Sequence, residues 1–182
     1  ALGTAAVPVV LNAGSGLNLA NNTTVNAHPV TVNGDASIFS NRATVGNGIT
    51  HTLGTLSIGN SRLTVFYGDN VSDVTAGLTF GTTTLTAATP VFDAFAGGVT
   101  LTLGAVGGNF AFSKDGGGRL VLNTASARTA GTVTLIDGTM SLGAINALGT
   151  TGVPVVLNGG VFDLATATTV NAYNTTVGGN VI

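Results

Sequence analysis

Neither cysteine nor tryptophan occurs in this chain of 182 residues, and glutamate and glutamine are missing as well. Without cysteine there is no disulfide framework and no thiol nucleophile. That suits a bacterial exported chain that must stay unfolded in transit, and equally a cytosolic one. Exposed helical positions are normally filled by Glu, Lys, Gln and Arg. Two of these are absent here and all seven acids are aspartate, so helix has little to build on. Charged residues make up 7% of the chain, against roughly 25% in an ordinary domain. Thr, Ser and Asn must therefore supply the polar surface. A net charge of −2 gives no electrostatic case for nucleic acid or an anionic membrane. The mean hydropathy is +0.51, yet the longest clear apolar run, Ala5 to Leu11, is broken by Pro8. A spanning helix needs about 20 apolar residues, and with two tyrosines there is no aromatic girdle for a membrane barrel.

What is abundant is glycine (28 residues) and threonine (30), with many Val, Leu, Ala and Asn. β-Branched residues on this scale predict an all-β chain. Short alternating segments recur, among them Val7–Leu11, Leu63–Val65, Val99–Leu103, Phe110–Phe112, Leu120–Leu122, Val133–Leu135, Met140–Leu142 and Phe162–Leu164. Period two puts Val99, Leu101 and Leu103 on one face and Thr100 and Thr102 on the other. The same phase places Arg62, Arg119 and Asp163 outside. Turn signals separate the segments: Asn33-Gly34-Asp35, Gly46-Asn47-Gly48, Gly97-Gly98, Gly107-Gly108-Asn109, Asp115 to Gly118, and Asp137-Gly138.

Regularly spaced short strands suit either a β-sandwich or a solenoid. The pattern favours a right-handed parallel β-helix (β-solenoid), with a β-sandwich as the alternative. Sandwich cores use bulky aromatic anchors, and aromatics are 5% here. Stacked coils also satisfy backbone groups without polar side chains. Roughly 20–24 residues per coil are expected, each rising about 4.8 Å.

The chain restarts its own beginning. Ten of the twelve residues from Ala1 to Asn12 return at Ala147 to Asn158, and Thr23-Thr24-Val25-Asn26-Ala27 returns at Thr168 to Ala172. The expected organisation is one solenoid unit over 1–146 and the start of a second copy over 147–182, a segment of a repeating array. The stretch 67–96 holds Asp69, Asp73, Asp93, Pro90, Phe92 and Phe95, and reads as an irregular excursion from the coil where binding would reside.

One segment resembles a known module. Phe112-Ser113-Lys114-Asp115-Gly116-Gly117-Gly118-Arg119-Leu120-Val121-Leu122-Asn123, continued by Thr129 to Gly143, is similar to the autotransporter-associated β-strand repeat, also called the passenger-associated transport repeat. Lys114, Gly116, Gly118, Leu120, Leu122, Gly131, Thr132, Val133, Gly138, Thr139 and Leu142 stand at matching places. Where that family usually has an aromatic before its turn glycine, this chain has Arg128-Thr129-Ala130. The resemblance implies a β-helical passenger of a large bacterial surface or secreted protein, with no catalytic residue to carry over.

Few residues offer chemistry. His28 and His51 lie in different segments, and the counterpart of His28 in the second copy is Tyr173, so His28 reads as an exposed or corner residue. Asp69, Asp73 and Asp93 are the candidates for a polysaccharide-active β-helix, which needs two carboxylates about 5–10 Å apart. Calcium has fragments of support in Asn33-Gly34-Asp35, Asp69 and Lys114-Asp115-Gly116, but isolated aspartates rarely supply six to eight oxygens. The Gly116–Gly118 run lacks the Lys-Ser/Thr of a phosphate loop. Thr-x-Thr pairs, such as Thr50/Thr52, Thr100/Thr102 and Thr166/Thr168, are too unevenly spaced for an ice-binding array. Three glycan-acceptor matches, at Asn22, Asn70 and Asn174, are too short a motif to use.

The expectation is a structural, non-enzymatic segment of a giant repetitive bacterial surface or extracellular fibre protein. It needs no cofactor or metal and no catalytic residue. Its partners are neighbouring copies of the same repeat, with surface glycans as a further class, and it has no nucleic-acid partner and no membrane span. Secretion or the cell surface is the expected location. The alternatives are the polysaccharide-active enzyme and a glycan-binding adhesin using 67–96.

Overall fold

A computed structural model describes residues 3–23, 25–167 and 169–182. Ala1, Leu2, Thr24 and Thr168 lie outside the described residues. The first two positions of the repeated opening, part of the second repeated block, the Asn22-Thr23-Thr24 match and the Thr166/Thr168 pair fall on them.

The described residues form nineteen strands and no helix, so none could cross a membrane as a helix. In chain order they are β1 (Val9–Leu11), β2 (Gly16–Ala20), β3 (Val30–Val32), β4 (Ala36–Asn41), β5 (Ile49–Thr52), β6 (Leu56–Ile58) and β7 (Arg62–Tyr67). Then come β8 (Ala76–Thr79), β9 (Thr83–Leu85), β10 (Val91–Ala94), β11 (Val99–Leu103), β12 (Val106–Gly107) and β13 (Phe112–Asp115). The last six are β14 (Arg119–Leu122), β15 (Val133–Leu135), β16 (Thr139–Leu142), β17 (Val155–Leu157), β18 (Val161–Asp163) and β19 (Thr175–Val177).

These strands stack in parallel into three faces of a β-solenoid of about eight turns. The first face is β1-β3-β6-β9-β12, the second β2-β4-β7-β10-β13-β15-β17-β19, and the third β5-β8-β11-β14-β16-β18. A full coil runs from the first face to the second and on to the third; the first coil has no third-face strand, and the described chain ends after β19 on the second. After β12 the first-face position is kept by irregular backbone: Val106 N–H donates to Ser126 Oγ (3.0 Å), Ser126 N–H to the Asn146 carbonyl (2.8 Å), and Asn171 N–H to the Ile145 carbonyl (3.1 Å).

Alternation decides what is inside. On the third face His51, Leu78, Leu101, Leu120, Met140 and Phe162 form one inward column, and Leu103, Leu122 and Leu142 another. On the second face Ala36, Leu63, Phe92, Lys114, Leu135 and Leu157 share a column. Arg62, Arg119 and Asp163 stand outside, as their phase requires.

Two coils are longer than the rhythm of the sequence suggests. The later coils place Arg119 beside Thr100 and Thr139 beside Arg119, at or just below the short end of the expected length. Earlier in the chain Leu63 lies beside Ala36, and Val91 beside Arg62, at wider separations. The extra residues are two loops, 42–48 and 68–75, which stack on each other through Gly46 and Val71 and through Ser72 N–H donating to the Gly46 carbonyl at 2.9 Å. The stretch 67–96 is therefore no continuous excursion. It contains β8, β9 and β10, each paired on both sides, and only 68–75 leaves the ladder. Alternation within Val91–Phe95 also separates the two phenylalanines of that stretch: Phe92 points inward and Phe95 outward.

Candidate functional site

The outward surface of the second face carries a row of three phenylalanine rings. Phe39 pairs with Phe66 in register, and Phe95 follows in the next coil. The rings of Phe39 and Phe66 are stacked, with centroids 5.1 Å apart and planes inclined by 16°. Phe66 and Phe95 follow at 4.5 Å and 43°. Phe95 is 54% exposed and the other two are partly covered. Asn18 occupies the same column one coil before Phe39. Beside it, an open groove of about 260 Å³ is lined by Gly16, Asn18, Phe39, Asn41, Gly68 and Asp69.

A polar column runs parallel to the rings two residues earlier on each strand: Ser37, Thr64, Asp93 and Asp115. Arg62 bridges its end, donating to Asp93 Oδ2 at 2.7 Å and to Asp115 Oδ2 at 2.9 Å, while its backbone N–H donates to Asp35 Oδ1 at 2.7 Å. Burial pushes the Asp115 carboxyl up, but the Gly116 N–H and the Arg62 guanidinium outweigh it and hold the group below its ordinary range. Asp93 is 9% exposed and its Oδ1 has no hydrogen-bond partner.

The three candidate carboxylates lie in different surroundings. Asp93 lies opposite Thr64 in the ladder, whereas Asp69 lies beyond Tyr67, the end of that strand, and lines the groove beside Phe39. Asp73 lines a different groove with Gly48, Thr50, Gly77 and Thr100. There the Gly48 N–H and the Thr75 hydroxyl hold it below the usual carboxylate range. The calcium fragments are also engaged: Asp35 and Asp115 serve Arg62, and Lys114 fills its own corner. Among the described residues no group of three or more acidic or histidine side chains is arranged to hold a metal ion. On the third face Thr52, Thr79 and Thr102 stack, but Gly77 interrupts the parallel column of Thr50 and Thr100, so no flat double row of threonines forms.

Several charged and polar groups turn inward. Lys114, from the segment that resembles the surface-protein repeat, is 0% exposed and sits in an apolar column. Its Nζ donates to the carbonyls of Asp115 (2.6 Å), Gly116 (2.6 Å) and Asp137 (3.1 Å). Burial pushes its pKa down to about 8. The ammonium thus staples the corner between second and third faces across two coils. At that corner Gly116, Gly138 and Gly160 have φ of 77°, 70° and 77°, a conformation that favours glycine. A Cβ on Gly138 would collide with the Gly116 carbonyl, and one on Gly160 with the Gly138 carbonyl.

Arg128, 1% exposed, donates to the carbonyls of Gly108 (3.0 Å), Phe110 (2.6 Å) and Gly131 (2.9 Å) and lies 5.0 Å from the Phe112 ring centroid. Burial lowers its pKa to about 10. It therefore serves as a buried packing group. His28 is a buried corner residue, not an exposed one, with Nδ1 at 2.9 Å from the Val7 carbonyl. His51 is buried in the core with Nε2 at 2.8 Å from the Asn41 carbonyl. Neither borders the aromatic strip.

No protein-family model, curated protein or solved structure matches the chain. What the site can do follows from its own chemistry. It offers a row of three phenylalanine rings with an amide and a carboxylate at its side. Sequence reading misses Phe39 and Phe66, because they meet Phe95 only through the two lengthened coils, whose spacing the regular coils do not set.

Proposed function

We propose that this chain is a structural, non-enzymatic segment of a repetitive bacterial surface or extracellular fibre protein, built to stack end to end with further copies of its unit. The observation that carries this reading is that the repeated opening folds the same way twice. Asn26 Nδ2 donates to the Gly3 carbonyl at 2.9 Å, and Asn171 Nδ2 donates to the Gly149 carbonyl at 2.9 Å. Val7 N–H donates to the Thr4 carbonyl and Val153 N–H to the Thr150 carbonyl, both at 3.1 Å. Gly14 and Gly160, equivalent in the two copies, share φ of 77°. A coil that re-forms from its own sequence inside a continuous ladder is a unit that propagates. The resemblance of 112–143 to a passenger repeat supports the surface location. Labelling of intact cells with an antibody to this segment, with electron microscopy of the released protein, tests it: surface-exposed rods are expected, and an interior, compact particle would contradict it.

The aromatic strip favours a second, compatible reading, in which the same scaffold binds glycans. Sugar rings have apolar faces that lie on aromatic planes and hydroxyls that hydrogen-bond to amides and carboxylates, and such sites combine apolar lining with few polar groups. Phe39 and Phe95, the end rings of the stack, supply the planes, and Asn18 and Asp69 the polar rim. A glycan array probed with the chain and with Phe66→Ala tests it: hits lost in the variant are expected, and an array without hits removes this reading.

A further inference from the structure

The two copies of the opening fold alike but lie on different faces. Val9–Leu11 is a strand of the first face and pairs with Val30–Val32. The equivalent Val155–Leu157 is a strand of the second face and pairs with Thr175–Val177, the equivalent of Val30–Val32. The strand after the corner moves in step, since Gly16–Ala20 is on the second face and Val161–Asp163 on the third. The connecting hydrogen bonds move with them. Val9 N–H donates to the Pro29 carbonyl at 2.8 Å and Val155 N–H to the Asn174 carbonyl at 2.9 Å; Asn33 N–H donates to the Leu11 carbonyl and Gly178 N–H to the Leu157 carbonyl, both at 2.8 Å.

β1 is the first-face strand of the first coil and β17 the second-face strand of the seventh. The first-face position is not lost between them, because the stacked backbone at Val106, Ser126 and Asn146 keeps it. The 146-residue offset therefore spans six coils and one further face. The two loops at 42–48 and 68–75 add residues within their coils and no faces; the copies differ in face because the ladder fits one face more than six whole coils between them.

We infer that successive units of the array are turned by one face, so that a feature on one face of a unit reappears on the next face in the following unit and returns only in the fourth. This rests on the array reading above. Its consequence is an interaction surface that winds around the rod: each unit's aromatic strip points in a different direction from its neighbour's. A rod with strips on every side would engage glycans from any approach, and simultaneous engagement raises avidity without new contacts. At about 4.8 Å per coil, one unit rises roughly 30 Å and the three-unit true repeat roughly 90 Å.

The face change is testable in this chain. Thr134 and Val156 are outward neighbours in register on the second face, and Val10 and Thr31 are the outward pair on the first. The double variants Thr134→Cys/Val156→Cys and Val10→Cys/Thr31→Cys, treated with dibromobimane, should both cross-link within one chain. Cross-linking of the second pair without the first would overturn the inference. In the parent assembly, a cryo-electron microscopy reconstruction should show strands equivalent to β1 stepping from face to face. A periodic rod with all equivalent strands on one face would overturn the inference and leave the array intact. Particles without a periodic rod would overturn the array reading, and the bimane result would still decide the face change.

Discussion

The rings of Phe66 and Phe95 meet at 4.5 Å across the second face, inclined by 43°, and Phe66 also stacks on Phe39 at 5.1 Å. Phe66 is thus the central ring of three, and its removal breaks both contacts. Each aromatic pair is worth about 0.5–1.5 kcal/mol beyond its buried area. Phe66→Ala is expected to destabilise the chain by about 1–3 kcal/mol, and Phe95→Ala, with one ring contact and 54% exposure, by less. Urea unfolding of the two variants checks the order; equal losses would mean that the strip is not coupled through Phe66.

Lys114 is the only lysine, so selective ¹³C labelling of lysine gives one resonance to titrate. Its midpoint is expected near 8, and a midpoint above 10 would contradict the buried corner. The sign for stability follows from proton binding. Between pH 8 and the unfolded value of about 10.4, the unfolded chain holds more protons than the folded one, so this group makes stability rise with pH across that window and leaves it flat below. Lys114→Met should abolish that rise. It should also cost about 1–3 kcal/mol, since three part-buried corner carbonyls lose their donor.

Glycines differ sharply in what they tolerate. Gly138→Ala puts a Cβ into the Gly116 carbonyl at φ of 70°, and a loss of about 1–3 kcal/mol is expected. Gly107→Ala is the control, because its nearest contact would be the Thr83 carbonyl at an ordinary 3.8 Å. That variant should be close to neutral. Thermal unfolding of the pair checks this, and equal losses would contradict the corner geometry.

The bridge from Arg62 to Asp93 and Asp115 should appear in acid. The folded Asp115 carboxyl lies below its ordinary range, so the stability it contributes is present above the unfolded pKa of about 3.9 and is lost as pH falls through the folded value. Arg62 is partly exposed, and the bridge is worth about 1 kcal/mol or less. Arg62→Gln should lower stability slightly at pH 6 and flatten the decline toward pH 3, both measurable by denaturant titration. An unchanged acid limb in the variant would contradict the bridge.

The all-β class, the parallel coil and several strands are legible because alternation and turn glycines act locally. Val99–Leu103 and Val133–Leu135 read correctly from their own residues. What escapes depends on register between coils. Lys114 and Arg128 look like surface charges, and only the stacked corner carbonyls show that the core takes them. His28 hides in the same way. The stretch 67–96 misleads because Asp and Pro signal a loop, whereas Val91–Ala94 and Thr83–Leu85 are ladder strands whose polar members point outward or bury a hydroxyl. The repeat itself is plain, but its shift by one face follows from how many faces the ladder fits between the copies, which an offset in residues does not give.

Fibre diffraction from the aligned parent protein tests the continuing solenoid most directly. Coils stacked along the fibre require a meridional reflection near 4.8 Å, with a longer axial spacing of roughly 30 Å from the repeating unit. A pattern lacking the 4.8 Å meridional reflection, or with that spacing perpendicular to the fibre axis, would contradict it.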